Sequence, residues 1–241
     1  MNDKLFVVLP AYNEKANIEE TVKQWHKVVE KTGSNSRLVI IDDGSTDNTY
    51  EIMLSMIDKY SQFIPVSKPN SGHGATCMFA YKYGINANAD YIFQTDSDGQ
   101  TNPEEFWKFW ENRKEYDFLI GNRKKRQDGY SRVVVTVTLR ILVWLTFGEN
   151  IKDPNTPFRL MNVTKLKPIL KIIPDNFFLS NVIISMLVVN RKEKHLWLPI
   201  TFKPRQGGTN SINLKKILTI GLKAISDFKS IKQKLNNSFD L

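Results

Sequence analysis

The chain has 241 residues, 41% of them hydrophobic, and a formal net charge of +9 at neutral pH. That length and composition support one large domain with a substantial core and argue against long disorder. The basic excess points to anionic partners: phosphates, lipid headgroups or nucleic acid. A single cysteine, Cys77, excludes an internal disulfide framework and suits a reducing cytosol. The first residues lack the basic-then-apolar pattern of a signal peptide. No run reaches the roughly 18 apolar residues of a membrane span; the nearest, residues 133–147, is interrupted by Arg140.

Over the first 120 residues, strand and helix patterns alternate. LFVVL (5–9) reads as a buried strand, and a helix is expected from about Asn17, with Ile18, Val22, Trp25 and Val29 on one face. RLVIID (37–42) is a second strand; Ser45, Thr46 and Asp47 offer N-caps for a helix carrying Met53, Leu54 and Ile57. A short strand near 63–67 precedes a helix over about 74–87, in which Cys77 reads as a small buried hydrophobe. YIFQTD (91–96) is the next strand, Pro103 suits the first turn of a helix holding Phe106, Trp107 and Trp110, and YDFLIG (116–121) is a further strand. The second half is less regular. Residues 131–147 and 177–189 read as apolar helices, 195–202 as a strand, and 213–234 as a long basic helix. IKDPNTPFRL (151–160) reads as irregular because of Pro154 and Pro157.

Strands separated by helices imply right-handed crossovers and a mainly parallel sheet, whose ligands bind beyond the carboxyl ends of the strands. Three polar clusters fall at such ends: Pro10 to Glu14, Asp42 to Ser45, and Asp96-Ser97-Asp98. The last is the most informative. Two carboxylates two residues apart repel one another unless a cation sits between them. Mg²⁺ characteristically takes one or two carboxylates plus substrate phosphates. An Asp-rich turn is the alternative reading of the same residues.

Taken together, VVLPAYNE, IDDGSTDNT, NSGHGAT, TDSDGQ, DPNTPFRL and RQGGTNS resemble, in order and spacing, the family 2 glycosyltransferases of the GT-A fold, over roughly residues 4–212. TDSDGQ, GNRKKR and the R-x-G-G-x-N-S ending narrow the likeness to polyprenyl-phosphate sugar transferases of the dolichol-phosphate mannosyltransferase type. The resemblance implies an α/β GT-A domain over 1–212, followed by a C-terminal basic amphipathic helix and tail over 213–241. It implies that Pro10, Tyr12 and Glu14 line the nucleotide pocket, with Asp42 or Asp43 accepting a hydrogen bond from the base. Gly72 and Gly74 would let backbone approach the nucleoside. Asp98 would bind Mg²⁺ or Mn²⁺ against the diphosphate, with Asp96 near the ribose or the ion, Ser97 among the nucleotide-sugar contacts, and Gln100 completing the coordination. Arg123, Arg132 and Arg205 are expected to bind phosphate, and Asp153 to act as a base or to position the acceptor, unless it is a turn residue before Pro154.

Pro157 stands where the family often has glycine before Phe-Arg, which implies a different local backbone. Ser180-Asn181 occupy the region where many relatives carry a glutamate, and no transmembrane helices are expected where lipid-acting relatives often have them; these two departures bear on the acceptor. The expected reaction moves a hexose from a UDP- or GDP-sugar, with inversion, to a polyprenyl phosphate at the cytoplasmic membrane face. A hydroxyl of a surface polysaccharide or lipid-linked glycan is the other acceptor. A nucleotidyltransferase would use similar groups but release pyrophosphate. A nucleic-acid binder would explain the charge but not the acids clustered at strand ends. Leu214, Ile217, Leu218, Leu222 and Ile225, with interleaved lysines, suit either peripheral contact with an anionic membrane or packing on the body. His26 and His195 lack zinc-site spacing, and His73 lies between two glycines of the expected pocket.

Overall fold

A computed structural model describes residues 3–123, 130–204 and 224–235, with backbone alone for 130–135. Its elements, in chain order, are β1 (Leu5–Ala11), α1 (Ile18–Thr32), β2 (Arg37–Asp42), α2 (Thr49–Ser55), β3 (Phe63–Ser67), α3 (His73–Asn86) and β4 (Tyr91–Gln94). There follow α4 (Phe106–Glu111), β5 (Phe118–Arg123), α5 (Tyr130–Phe147), β6 (Arg159–Asn162), α6 (Val163–Leu170), α7 (Ser180–Asn190) and β7 (His195–Ile200). Residues 224–235 form a further helix, α8.

The seven strands make one sheet in the order β3-β2-β1-β4-β6-β5-β7. Every pairing is parallel except those of β6, which runs antiparallel to both β4 and β5. β1 to β3 grow outward on one side and β4 lies on the other side of β1, so the sheet has a topological switch between β1 and β4. Crevices outside the carboxyl ends at such a point are where open α/β sheets bind ligands.

The hydrophobic pattern sets these elements. β1 and β4 are buried throughout, as expected of strands covered on both faces. On α1, Ile18, Val22, Trp25 and Val29 are all buried and Trp25 packs on Phe93 of β4, 5.4 Å between ring centroids. One core lies under α1 and α4, with Phe93, Phe106, Phe109 and Phe158 in edge-on contact. The other lies under α3, α5, α6 and α7.

Three expectations are corrected. IKDPNTPFRL is not irregular throughout, since Arg159–Asn162 form β6 in the middle of the sheet. The cap of α2 is Asn48, whose side chain makes no capping bond; Asp47 Oδ1 instead accepts from Thr49 N, 3.0 Å. The apolar helix expected from 177 begins at Ser180. Of the expected C-terminal helix, 213–223 lie outside the described residues. In α8, Ala224, Phe228, Ile231 and Leu235 are buried, and Phe228 packs on Phe147 and Phe177. This apolar stripe is therefore spent on the body.

Candidate active site

The loops after β1, β2, β3 and β4 are stitched together. Strand register brings their ends level, with Ala11 opposite Asp42 and Asp42 opposite Ser67. Asn13 takes a φ of 55°, a left-handed turn that Asn tolerates. Its side chain accepts from Thr46 N (2.8 Å) while its amide donates to Ser45 Oγ (3.0 Å). Glu14 is buried; its amide donates to Thr49 Oγ1 (2.8 Å) and its carboxylate accepts from Asn17 Nδ2 (2.8 Å). Pro10 is buried, whereas the Tyr12 ring stands 46% exposed beside this loop, available to a ligand.

Asp42 and Asp43 are both buried and act differently. Asp42 accepts from Ser45 N and from Ser67 Oγ (3.1 Å). Asp43 accepts from Ser71 N and Gly72 N, each 2.9 Å, and pairs with Lys68 Nζ. Burial raises the Asp43 pKa, but Lys68 and the loop amides outweigh it and hold it below the usual carboxylate range. Asp43 thus organises the 68–72 loop. Lys68, which also reaches Ser71 Oγ at 2.5 Å, carries no local sequence signal. Only the pairing of β2 with β3 brings it there.

The two glycines of NSGHGAT divide their work. Gly72 has φ +86° and open space where a Cβ would stand, which suits backbone approach to a ligand. Gly74 faces inward: a Cβ there would lie 2.3 Å from the Phe178 carbonyl oxygen and 2.4 Å from that of Phe177. Its lack of a side chain lets α3 lie against the loop before α7.

At the end of β4, Ser97 is buried and its hydroxyl donates to the Pro10 carbonyl (2.8 Å), tying this loop to that of β1 across the switch point. Asp96 is partly exposed and bonds His73 Nε2 at 3.0 Å. The Cys77 sulfur, 3.8 Å from the imidazole, and the Asp96 carboxylate together raise the His73 pKa well above its ordinary value. Asp98 accepts from Gln100 N (3.1 Å). Gln100 is buried, its amide donating to the Lys203 carbonyl (2.7 Å). Among the described residues no cluster of three or more His, Cys, Asp or Glu side chains is poised to hold a metal. Asp96 and Asp98 nevertheless offer two hard oxygen donors, and that set fits Mg²⁺ or Mn²⁺ completing its shell with water and diphosphate oxygens.

The end of β5 adds a buried ion pair. Arg123 Nε and Nη2 each donate to Asp153, at 2.7 Å, and the Arg123 amide adds a third bond at 3.2 Å. Both side chains are 5% exposed. Two groups expected in separate roles are therefore partners. The guanidinium also lies 5.0 Å from the centroid of the Phe202 ring, and Phe202 bridges to Thr101 beyond the acidic loop. This is how the two polar regions become neighbours. Lys124, Lys125, Arg126 and Arg205 lie outside the described residues; Arg132 belongs to α5, its side chain not described.

One interior group went unnoticed in the sequence. Arg159 is fully buried, and its guanidinium donates to the carbonyls of Thr156 (2.7 and 3.2 Å) and Asn181 (3.0 Å). Burial lowers its pKa, yet a guanidinium stays charged at physiological pH. Nearby, the hydroxyls of Thr156 and Ser180 are buried without a hydrogen-bond partner among the described residues.

Residues 6–170 match the Glycosyl transferase family 2 profile, more than half of the chain, and the chain belongs to that family. It is 24% identical to an undecaprenyl-phosphate 4-deoxy-4-formamido-L-arabinose transferase of Edwardsiella ictaluri, over 97% of this chain and 74% of the relative. Among solved structures, mannosyl-3-phosphoglycerate synthase from Rubrobacter xylanophilus superposes with a TM-score of 0.67 at 13% identity, over 99% of this chain and 75% of that one. Glucosyl-3-phosphoglycerate synthase from Mycobacterium tuberculosis, in complex with Mn²⁺, UDP-glucose and phosphoglyceric acid, also gives 0.67, at 18% identity, covering 95% and 79%. At such identities these structures establish the shared GT-A fold.

Proposed function

We propose that this chain transfers a hexose from a UDP- or GDP-sugar to a polyprenyl phosphate at the inner membrane face, by single displacement with inversion. The name of the Edwardsiella relative supports the acceptor class. The observation that carries the reading is the Arg123–Asp153 pair next to the acidic loop, because both oxygens of Asp153 are already committed. A hydroxyl acceptor must lose a proton and calls for a positioned base. A phosphate monoester, with a second pKa of about 6, is largely ionised at neutral pH and needs none.

In this reading Tyr12, Glu14 and the Gly72 backbone bound the nucleoside, and Asp42 or Asp43 accepts the N–H of the base. Asp96 and Asp98 would hold Mg²⁺ or Mn²⁺, which when bound supplies Lewis-acid neutralisation of the leaving diphosphate. Asp153 holds Arg123 in one orientation, and Arg132 and Arg205 would supply the positive charge that binds phosphate. An acceptor phosphate oxygen attacks the anomeric carbon. The bond from that carbon to the diphosphate oxygen breaks, and its electron pair departs with the nucleoside diphosphate.

The test is a panel of labelled UDP- and GDP-hexoses offered to undecaprenyl phosphate with Mn²⁺ or Mg²⁺. One donor should label the lipid, and Asp98→Ala should lower the rate about 100-fold or more, as loss of a group that stabilises developing charge does. Release of pyrophosphate from a nucleoside triphosphate would move the chain to nucleotidyl transfer. Metal-dependent release of nucleoside diphosphate without labelled lipid would move the acceptor to a glycan hydroxyl.

A further inference from the structure

The outer face of α5 is apolar and open. Val137, Ile141, Trp144 and Leu145 are 47%, 50%, 59% and 66% exposed. Their spacing of i, i+4, i+7 and i+8 puts them on one side of the helix, while Leu139 and Val143 on the other side are buried in the core. Single exposed apolar residues are ordinary, but a contiguous set that includes a tryptophan marks a surface that meets something. Val137, Ile141 and Trp144, with Arg140 and Asn150, line an open depression of about 430 Å³.

Its rim is cationic. Arg140 is exposed among the apolar side chains. Lys232 of α8 reaches across to the Thr146 carbonyl (2.6 Å), and the exposed Lys229 lies one turn before it on the same helix. Of the described acids on or beside α5 and α8, Glu149 is only partly exposed and accepts from Asn190 (3.0 Å), and Asp227 is half-buried. A partly exposed tryptophan with neighbouring aliphatic side chains and a basic rim is the chemistry of a bilayer interface with anionic headgroups. A second copy fits less well. An isologous contact would set Arg140 and Lys232 against the same cations of the other copy.

We propose that this face of α5 seats the protein on an anionic bilayer. Trp144 and Leu145 enter the interface, and Arg140 and Lys232 meet headgroup phosphates. The described part of α8 does not serve, because its apolar stripe is packed inward. The inference rests on the polyprenyl-phosphate reading, in that such an acceptor lies in a membrane. It is tested separately from that reading.

The experiment measures partition of the full chain onto vesicles of equimolar phosphatidylcholine and phosphatidylglycerol, comparing wild type with Trp144→Ser/Leu145→Ser. Losing two interfacial side chains should cut the partition coefficient about ten-fold or more. Transfer to a water-soluble short-chain isoprenyl phosphate, and the thermal melt, should be unchanged. Should the double variant fold poorly, Leu145→Ser alone is read the same way. Equal vesicle binding by variant and wild type overturns the proposal. So does a wild-type dimer that the substitutions convert to monomer while vesicle binding stays the same. Loss of short-chain transfer in a well-folded variant overturns it too, by assigning the residues to the acceptor site. Failure of the wild type to use the short-chain acceptor speaks only against the transferase reading, since vesicle partition is measured without any reaction.

Discussion

The two sides of the sheet hold their charges differently. Around β1 to β4, buried carboxylates are met by several groups of neighbouring loops at once: Asp43 by the Ser71 and Gly72 amides together with Lys68, Asp42 by Ser45 and Ser67. Around β5 to β7, charge is met by charge or by carbonyls deep in the fold, Arg123 by Asp153 and Arg159 by Thr156 and Asn181. The first arrangement distributes each charge over several bonds, so losing one costs little. The second concentrates it in one pair whose breaking strands a buried ion. The β1–β4 side should therefore tolerate single changes that the β5–β7 side does not.

The largest effect expected from breaking this contrast is that of Asp153→Ala, which leaves the Arg123 guanidinium buried without its partner. Urea denaturation should show a loss of about 3–5 kcal/mol. The double change Arg123→Met/Asp153→Leu should cost less than Asp153→Ala alone, since it removes both charges. A double variant less stable than the single one would contradict the account of the pair.

Gly74→Ala comes next. The added methyl meets main-chain carbonyls rather than a flexible side chain, so about 1–3 kcal/mol of stability should be lost as α3 and the 177–178 loop part. Because Gly72 faces open space, an effect on donor KM larger than that on stability would place Gly74 in the nucleoside pocket.

Asp43→Asn sharpens the comparison through pH. The folded pKa of Asp43 is depressed, so its contribution is complete above the unfolded carboxylate pKa of about 4 and is lost as pH falls through the lower folded value. The stability gap between wild type and Asp43→Asn should be constant at neutral pH and narrow below about pH 4. A gap that widened in acid would mean the carboxylate is not held ionised. The smallest effect is Ser97→Ala, about 1 kcal/mol for one hydrogen bond to Pro10.

The same contrast explains what the sequence discloses. β1, β2 and β4 are unbroken apolar runs that end in polar clusters, and their parallel pairing follows from the helices between them, so the convergence at the switch point is legible. β6 is not. RLMN has four residues, polar at both ends and close behind Pro154 and Pro157, with no period to read. The burial of Arg159 has no local signal, because the carbonyls of Thr156 and Asn181 that enclose it are brought there only by the fold. The Arg123–Asp153 pair joins residues thirty apart, and only the folded sheet brings them together. The basic amphipathic pattern of the C-terminal segment fits a packed helix as well as a membrane-bound one, and only contact with Phe147 and Phe177 assigns the stripe of α8 to the interior.

The central claim is that the acceptor is a phosphate and needs no base. The most direct measurement offers undecaprenyl phosphate and undecaprenol side by side to the enzyme with its best donor. The account predicts sugar on the phosphate only, with a rate that follows ionisation of the acceptor at about pH 6. Sugar appearing on the alcohol at a comparable rate would contradict it.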